Sequence, residues 1–417
     1  MSDVDVAIAY TESENWIEED MLARFAWLRA NDPVYWSETD GLWIVTKYED
    51  VEYVSKHQEI FTSQEGVRPE PLKIGLIDEA EPRHANLRTM INRGFTPRMV
   101  KKLEETFREL TREVIDDVVK DGHCEFVEDI AVPLPLRIIA AMIGIPSEDY
   151  DRFHEWSDAM ISGEGSSDPE VLAKAGKAYV EYATYATAIL EARREQPRDD
   201  LASILVGAKD DGLLKTFDSS QDRIEHRDPD HMELANDELI KLMVILMVAG
   251  NETTRNAISG GMEAFIDNPD QCQKLIDDPS LLSSACEEIV RFVSPVRSFT
   301  RTVLEDTELK GKRLEAGQKV LMIYLSANRD ETVFDDANSF QIERNPTHLG
   351  FGIGSHFCLG ANLARMELRV AFAEILRRMP NMEYAQGGSV LKPSSLVRSC
   401  AELKVRFTPE RVLAEAG

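Results

Sequence analysis

Cysteine is scarce and scattered: five residues, Cys124, Cys272, Cys286, Cys358 and Cys400, with the closest pair fourteen positions apart. No CxxC spacing exists, which argues against a structural zinc site or a cysteine-held iron–sulfur cluster. Basic residues are also short, 47 Lys and Arg against 75 Asp and Glu, for a net charge of −28. So acidic a chain does not present a whole surface to nucleic acid or anionic lipid. Long hydrophobic runs are missing too. The most apolar helical stretch, Leu239 to Gly250, carries Lys241 and falls short of the about 20 residues a bilayer span needs. The opening MSDVDVAIAYTESENW has no basic stretch leading into an apolar core, so neither a signal peptide nor a membrane anchor is expected. These absences lead us to expect a cytoplasmic protein with reduced thiols.

What is present suits a large folded core. Hydrophobic residues make up 43% and charged residues 29%, outside the range of disordered chains. Length alone allows two or three domains. Composition does not shift along the chain and no repeat is found, so one α-rich domain over 1–417, with a small β part, is expected. The polar stretch 209–232 reads as a surface insertion. Residues 14–30 have helical apolar spacing, and the run 34–46 alternates around Asp40-Gly41, a hairpin signal. Pro97 opens a charged amphipathic helix to about Lys120. Helices are expected near 135–143, 147–161 and 168–195, then from Asn236 or Asp237 to Asn268, where Pro269 ends it. That last rod, about 48 Å at 1.5 Å per residue, is expected to cross the centre of the molecule. Strands are expected at 297–304, 319–325 and 396–407, and a final helix at Ala361–Arg378.

The chemistry concentrates in Phe351-Gly352-Ile353-Gly354-Ser355-His356-Phe357-Cys358-Leu359-Gly360, immediately before that last helix. Glycines let backbone amides approach the sulfur, and a helix N-terminus favours thiolate over thiol. Such a cysteine is a metal ligand or a nucleophile. A cysteine hydrolase using His356 stays open on these residues alone, although side chains at i and i+2 seldom meet.

This stretch resembles the haem-binding loop of the cytochrome P-450 superfamily, F-x-x-G-x-H/R-x-C-x-G, at every fixed position. Three further motifs stand in the same order as in that superfamily. Ala249-Gly250-Asn251-Glu252-Thr253 resembles the oxygen-activation motif, Glu288-Ile289-Val290-Arg291 the Glu-x-x-Arg motif, and Phe340 to Arg344 the segment that adds a second arginine. The resemblance spans nearly the whole chain and implies a mostly helical prism with a smaller β-rich part. It implies haem b (iron protoporphyrin IX) with Cys358 as axial iron ligand. His84 and Arg88, at i,i+4 on a helix, match one pair of propionate contacts, and Arg301 and His356 match the other two. Thr253 and Glu252 match the pair that delivers protons to the activated oxygen. Asp is frequent in the superfamily where Glu252 stands here, and both occur. Glu288, Arg291 and Arg344 match a structural ion network.

Gly250 costs a helix up to about 1 kcal/mol relative to Ala, so it needs a local reason. A kink closed by Thr253 on the carbonyl of Ala249 is one structural account; a groove opened over the iron is the functional one. Val248, Ala249, Val293, Val296 and Phe299, with the loop 62–77, are the expected pocket wall. They are mainly apolar, so the substrate is expected to be lipophilic. VAGNETTRN resembles most the bacterial branch that oxidises steroid and sterol side chains; terpenoids and fatty acids remain alternatives, as does a non-catalytic haem sensor or electron carrier. No flavin or nicotinamide fingerprint is found, so electrons for O2 reduction must come from a separate ferredoxin and ferredoxin reductase. Residues 83–102 hold six Lys or Arg and no acid. Arg98, Lys101 and Lys102, with Arg93, form the expected docking patch on the cysteine side.

Overall fold

The computed structural model describes residues 4–69, 75–79, 81–163, 168–210 and 236–409. In chain order its helices are α1 (Glu18–Asn31), α2 (Tyr48–Lys56), α3 (Arg83–Asn92), α4 (Pro97–Val118), α5 (Pro133–Ile143), α6 (Tyr150–Gly163) and α7 (Pro169–Glu195). There follow α8 (Leu201–Asp210), α9 (Asn236–Asp267), α10 (Pro269–Asp277), α11 (Leu282–Val293), α12 (Tyr324–Ala327) and α13 (Ala361–Arg378). Strands are short: β1 (Val34–Ser37), β2 (Leu42–Val45), β3 (Phe61–Thr62), β4 (His123–Glu125), β5 (Ser298–Val303) and β6 (Thr307–Leu309). The rest are β7 (Lys312–Leu314), β8 (Lys319–Ile323), β9 (Glu383–Tyr384), β10 (Val390–Lys392), β11 (Ser399–Glu402) and β12 (Lys404–Arg406).

Several boundaries follow from the local signals. Pro169 opens α7 after Asp168, whose carboxylate accepts the N–H of Glu170 at 2.8 Å. Asn268 separates α9 from α10, and Pro269 takes the first position of the new helix. The expected strand 319–325 stops at Ile323 because the chain turns into α12. The expected run 396–407 is two strands: β11 pairs with β10, β12 pairs with β4 and β9, and fully buried Leu403 stands between them. Of the expected insertion 209–232, residues 209 and 210 end α8 and 211–232 lie outside the described residues.

The chain forms two compact units, each built from separate stretches. The first contains Met1–Lys73, Thr111–Ala131 and Thr253–Gly417, and the second Ile74–Leu110 and Val132–Glu252. The division falls within α4 and within α9. A five-stranded sheet of order β1-β2-β8-β5-β3 organises the first unit. Its β1–β2 hairpin turns at Gly41, which takes φ +64°. Alternate side chains of β2 and β8 point to opposite faces. Trp43, Val45, Val320 and Met322 pack with Tyr48, Val51 and Val54 of α2. Leu42, Ile44, Leu321 and Ile323 pack with Met21, Phe25 and Leu28 of α1. Covered on both faces, β2 reads as a continuous apolar strand, and it runs parallel to β8.

Helices alone build most of the second unit. Trp156 of α6 stands 5.8 Å from Tyr182 and 5.3 Å from Tyr185 of α7, ring centroid to centroid, and donates to Glu181 at 3.0 Å. Gly144 closes α5 in the left-handed region (φ +97°), and its carbonyl accepts from Arg193 at 2.9 Å, while Arg193 pairs with Asp200.

Candidate active site around Cys358

The loop before α13 bends at Gly352 (φ +66°) and Gly354 (φ +77°). A Cβ on Gly354 would lie 3.0 Å from the carbonyl of Ser55, at the end of α2. One on Gly350 would lie 2.6 Å from Val290 of α11. These glycines let the loop lie flush against two helices. The N–H of Cys358 donates to the carbonyl of Phe351 at 2.8 Å and so closes the loop. Of the five cysteines, Cys358 is the exposed one. Burial pushes the thiols of Cys124 and Cys286 up to about 12 and that of Cys400 to about 11, and raises that of Cys272. Those four are inert at neutral pH.

Beneath the loop, Glu288 and Arg291 of α11 are both fully buried. Arg291 donates to Glu288 at 2.8 and 2.7 Å through Nε and Nη2. Its Nη1 reaches the carbonyls of Asn328 and Ala337, each at 2.8 Å, and Nη2 that of Ser339 at 3.0 Å. Arg344 donates to Glu288 at 3.2 Å. The three residues expected to form one network are thus in contact. Together they pin the chain segments that lead into the cysteine loop.

Other expected residues divide between the units. In the first, Arg301 on β5 is 2% exposed and donates to the carbonyl of Thr300 at 2.8 Å. His356 Nε2 lies 3.3 Å from the hydroxyl of Ser63. Val296 and Phe299 are half-buried, Phe299 edge-on to Tyr324 at 6.0 Å. Val293 is buried and packs on α9: its Cγ1 would stand 2.7 Å from a Cβ on Gly260. In the second unit, His84 is 1% exposed and its Nδ1 lies 2.8 Å from Glu81, while Arg88 is half-buried one turn on. Val248 is half-buried and Ala249 exposed. Of the expected pocket loop 62–77, residues 70–74 lie outside the described residues.

Glu252 and half-buried Thr253 are consecutive on α9, which is a continuous α-helix through both. Gly250 has a packing reason, because a Cβ there would approach Ile139 of α5 to 3.3 Å. Two features escaped the sequence reading. Buried Asn251 donates to Ser157 of α6 at 3.1 Å, and Glu287 binds Arg365 beside the cysteine loop at 2.7 and 2.8 Å. Neither pairing has a local motif, since each joins residues at least 78 positions apart.

The donor set tests which metal centre could be held here. Among the described residues no group of three His, Cys, Asp or Glu is placed to cage an ion. One exposed cysteine therefore suits a metal that brings its own equatorial ligands, as iron does in haem. Also among the described residues, no helix is long and apolar enough to cross a membrane.

Comparison with known proteins agrees with this chemistry. The family profile described as "Cytochrome P450" matches residues 167–395. The chain is 36% identical over 412 residues to a "Steroid C26-monooxygenase" of Mycobacterium tuberculosis, covering 98% of each protein. It is 38% identical to a "Methyl-branched lipid omega-hydroxylase" of Mycobacterium bovis, covering 86% of this chain and 84% of that protein. Among solved structures, CYP109E1 from Bacillus megaterium in complex with corticosterone is similar at a TM-score of 0.81 and 32% identity, over 94% of this chain and 100% of that one. The chain belongs to the cytochrome P450 family and is a haem-binding monooxygenase.

Proposed function

We propose that this cytochrome P450 works in the cytoplasm and oxidises the side-chain end of a steroid or sterol, with electrons from a separate ferredoxin and its reductase. The observation that carries the substrate class is the 36% identity, over 98% of both chains, to a steroid C26-monooxygenase. Carbon 26 of a steroid and the omega carbon of a methyl-branched lipid are both ends of a branched chain. The likeness to the lipid omega-hydroxylase therefore favours, as a second reading, a methyl-branched lipid oxidised at the same kind of terminus.

Haem bound through a thiolate supplies O2 activation and the transfer of one oxygen atom into an unactivated C–H bond. Cys358 is the residue that holds the iron, and its exposure and glycine framework support that role. Arg301, His356, His84 and Arg88 are assigned to the propionates, where their donors form charge-assisted hydrogen bonds. Thr253 holds a hydroxyl proton, and the Glu252 carboxyl, 7% exposed, passes protons to it. Val248, Ala249, Val293, Val296 and Phe299 are assigned to the substrate, since their apolar side chains suit a lipophilic chain. Arg93, Arg98, Lys101 and Lys102 are exposed and suit an acidic ferredoxin; Lys102 also bonds Asp199 at 2.7 Å.

A panel of steroids with and without a branched side chain, branched lipids, linear fatty acids and terpenes, scored for the low-to-high-spin shift and for product mass, tests the proposal. Side-chain-bearing steroids should give the largest shift and a product with one added oxygen at the chain end. A response confined to linear fatty acids or terpenes would overturn it.

A further inference from the structure

Glu287 stands one residue before Glu288 yet serves a different partner set. Its carboxylate accepts a two-pronged bond from Arg365 of α13, at 2.7 and 2.8 Å. A third contact comes from His348 Nε2 at 3.2 Å. The tautomer of His348 follows from its other nitrogen: Nδ1 accepts the N–H of Gly350 at 3.0 Å, so the proton sits on Nε2 and points at Glu287. The Arg365 guanidinium lies 4.6 Å from the ring centroid of Phe351, and the His348 ring lies 5.5 Å from it. The carbonyl of Phe351 in turn accepts the N–H of Cys358. Glu287, Arg365 and Phe351 thus form one chain of contacts from α11 through α13 to the cysteine loop.

An arginine on a free stem is averaged by solvent and contributes little. Arg365 is not free. Its fork is matched to a carboxylate and its face to an aromatic ring, the two geometries that hold a guanidinium in place. The Glu287 hydrogen bond, and the Cys358 sulfur as well, keep it charged.

We propose that the Glu287–Arg365 pair, seated against Phe351, acts through its two opposite charges to set the charge at the Cys358 sulfur and with it the ferric–ferrous balance of the bound haem. The inference rests on Cys358 being the axial ligand. Reduction adds an electron, which a nearby cation favours and a nearby anion opposes. Neutralising the two partners must therefore move the balance in opposite directions. A merely mechanical clamp would loosen the loop in both variants and move it the same way.

Spectroelectrochemical titration of haem-loaded Arg365→Gln and Glu287→Gln protein tests this. Arg365→Gln should shift the equilibrium roughly tenfold toward ferric, about 59 mV lower for one electron, and Glu287→Gln about threefold toward ferrous. Unchanged potentials, or two shifts of the same sign, overturn the proposal. Should Arg365→Gln fail to hold haem, Glu287→Gln decides alone: a rise supports the proposal, and no change or a fall overturns it. The reduced carbonyl complex of the wild type is read first. Absence of its red-shifted thiolate band would remove the ligand assignment and this proposal together, whereas a normal band with unsplit potentials removes only the role of the pair.

Discussion

Replacing Glu288 with Gln exchanges one buried oxygen for an NH2 group, and the structure says what that exchange costs. Oε1 of Glu288 receives Arg291 Nη2, Arg344 Nε at 3.2 Å and the N–H of Gln341 at 2.9 Å, and Oε2 receives Arg291 Nε at 2.8 Å. A Gln whose carbonyl takes the Oε1 place keeps those three donors satisfied by a neutral acceptor. Its amide nitrogen then faces Arg291 Nε, donor against donor. Arg291 becomes a buried cation without its counter-charge, and its other N–H groups stay tied to three backbone carbonyls, so it cannot retreat to solvent. Removing one member of a buried ion pair costs about 3–5 kcal/mol, against a total of roughly 5–15 kcal/mol for a domain. The control is Glu343→Gln. That carboxylate pairs with Lys274 at 2.8 Å but is 58% exposed, and its loss should cost under about 1 kcal/mol. Urea unfolding at pH 7 and 25 °C, followed by haem absorbance and tryptophan fluorescence, should separate the two variants by at least about 2 kcal/mol. Equal losses would refute the reasoning.

Thr253→Ala should consume reducing equivalents as peroxide while product falls, measured as peroxide formed per NADH oxidised; full coupling would remove Thr253 from proton delivery. Reversing charge at Arg98 and Lys101 should slow the first reduction by an acidic ferredoxin and flatten its dependence on ionic strength, read by stopped flow, and unchanged kinetics would dismiss the patch. For the Glu287 carboxyl, burial acts to raise the pKa but the Arg365 and His348 hydrogen bonds outweigh it, drawing it down to about 2 from 4.5. A depressed pKa stabilises the fold above the ordinary value and loses that contribution as pH falls toward 2. Between about pH 5 and 2 the wild type should therefore lose melting temperature faster than Glu287→Gln, and parallel curves would count against the pairing.

Local chemistry was legible where it depended on neighbours in sequence. The end of α9 was readable from the Asn268-Pro269 step, whereas its start falls at Asn236, ahead of where a cap at Asn236 or Asp237 would put it. The glycines at 352 and 354 announced a turn that other residues adopt poorly. Motif resemblance reached further and brought Arg344 to Glu288 across 56 positions. Long-range side-chain pairing without a motif stayed hidden: Glu18 meets Arg297 at 2.5 Å across 279 positions, and nothing periodic marks it. The split of 396–407 was equally hidden, because it depends on which partner each half finds. The packing of Val293 over Gly260 was hidden too, because nothing in the sequence marks which apolar residue fills the groove that a glycine leaves. Both glycines at 260 and 261 owe their place to such close approach, to Val293 and to Phe372.

The order β1-β2-β8-β5-β3 also has a consequence for biosynthesis. Val45 pairs with Met322, so the N-terminal hairpin leaves the ribosome 277 residues before its parallel partner. At about 5–20 residues per second that is a wait of roughly 15–55 s with Trp43 and Val45 uncovered and a strand edge unmet. During that interval the nascent chain presents a sticky edge, and a chaperone that masks it should raise the yield of native protein.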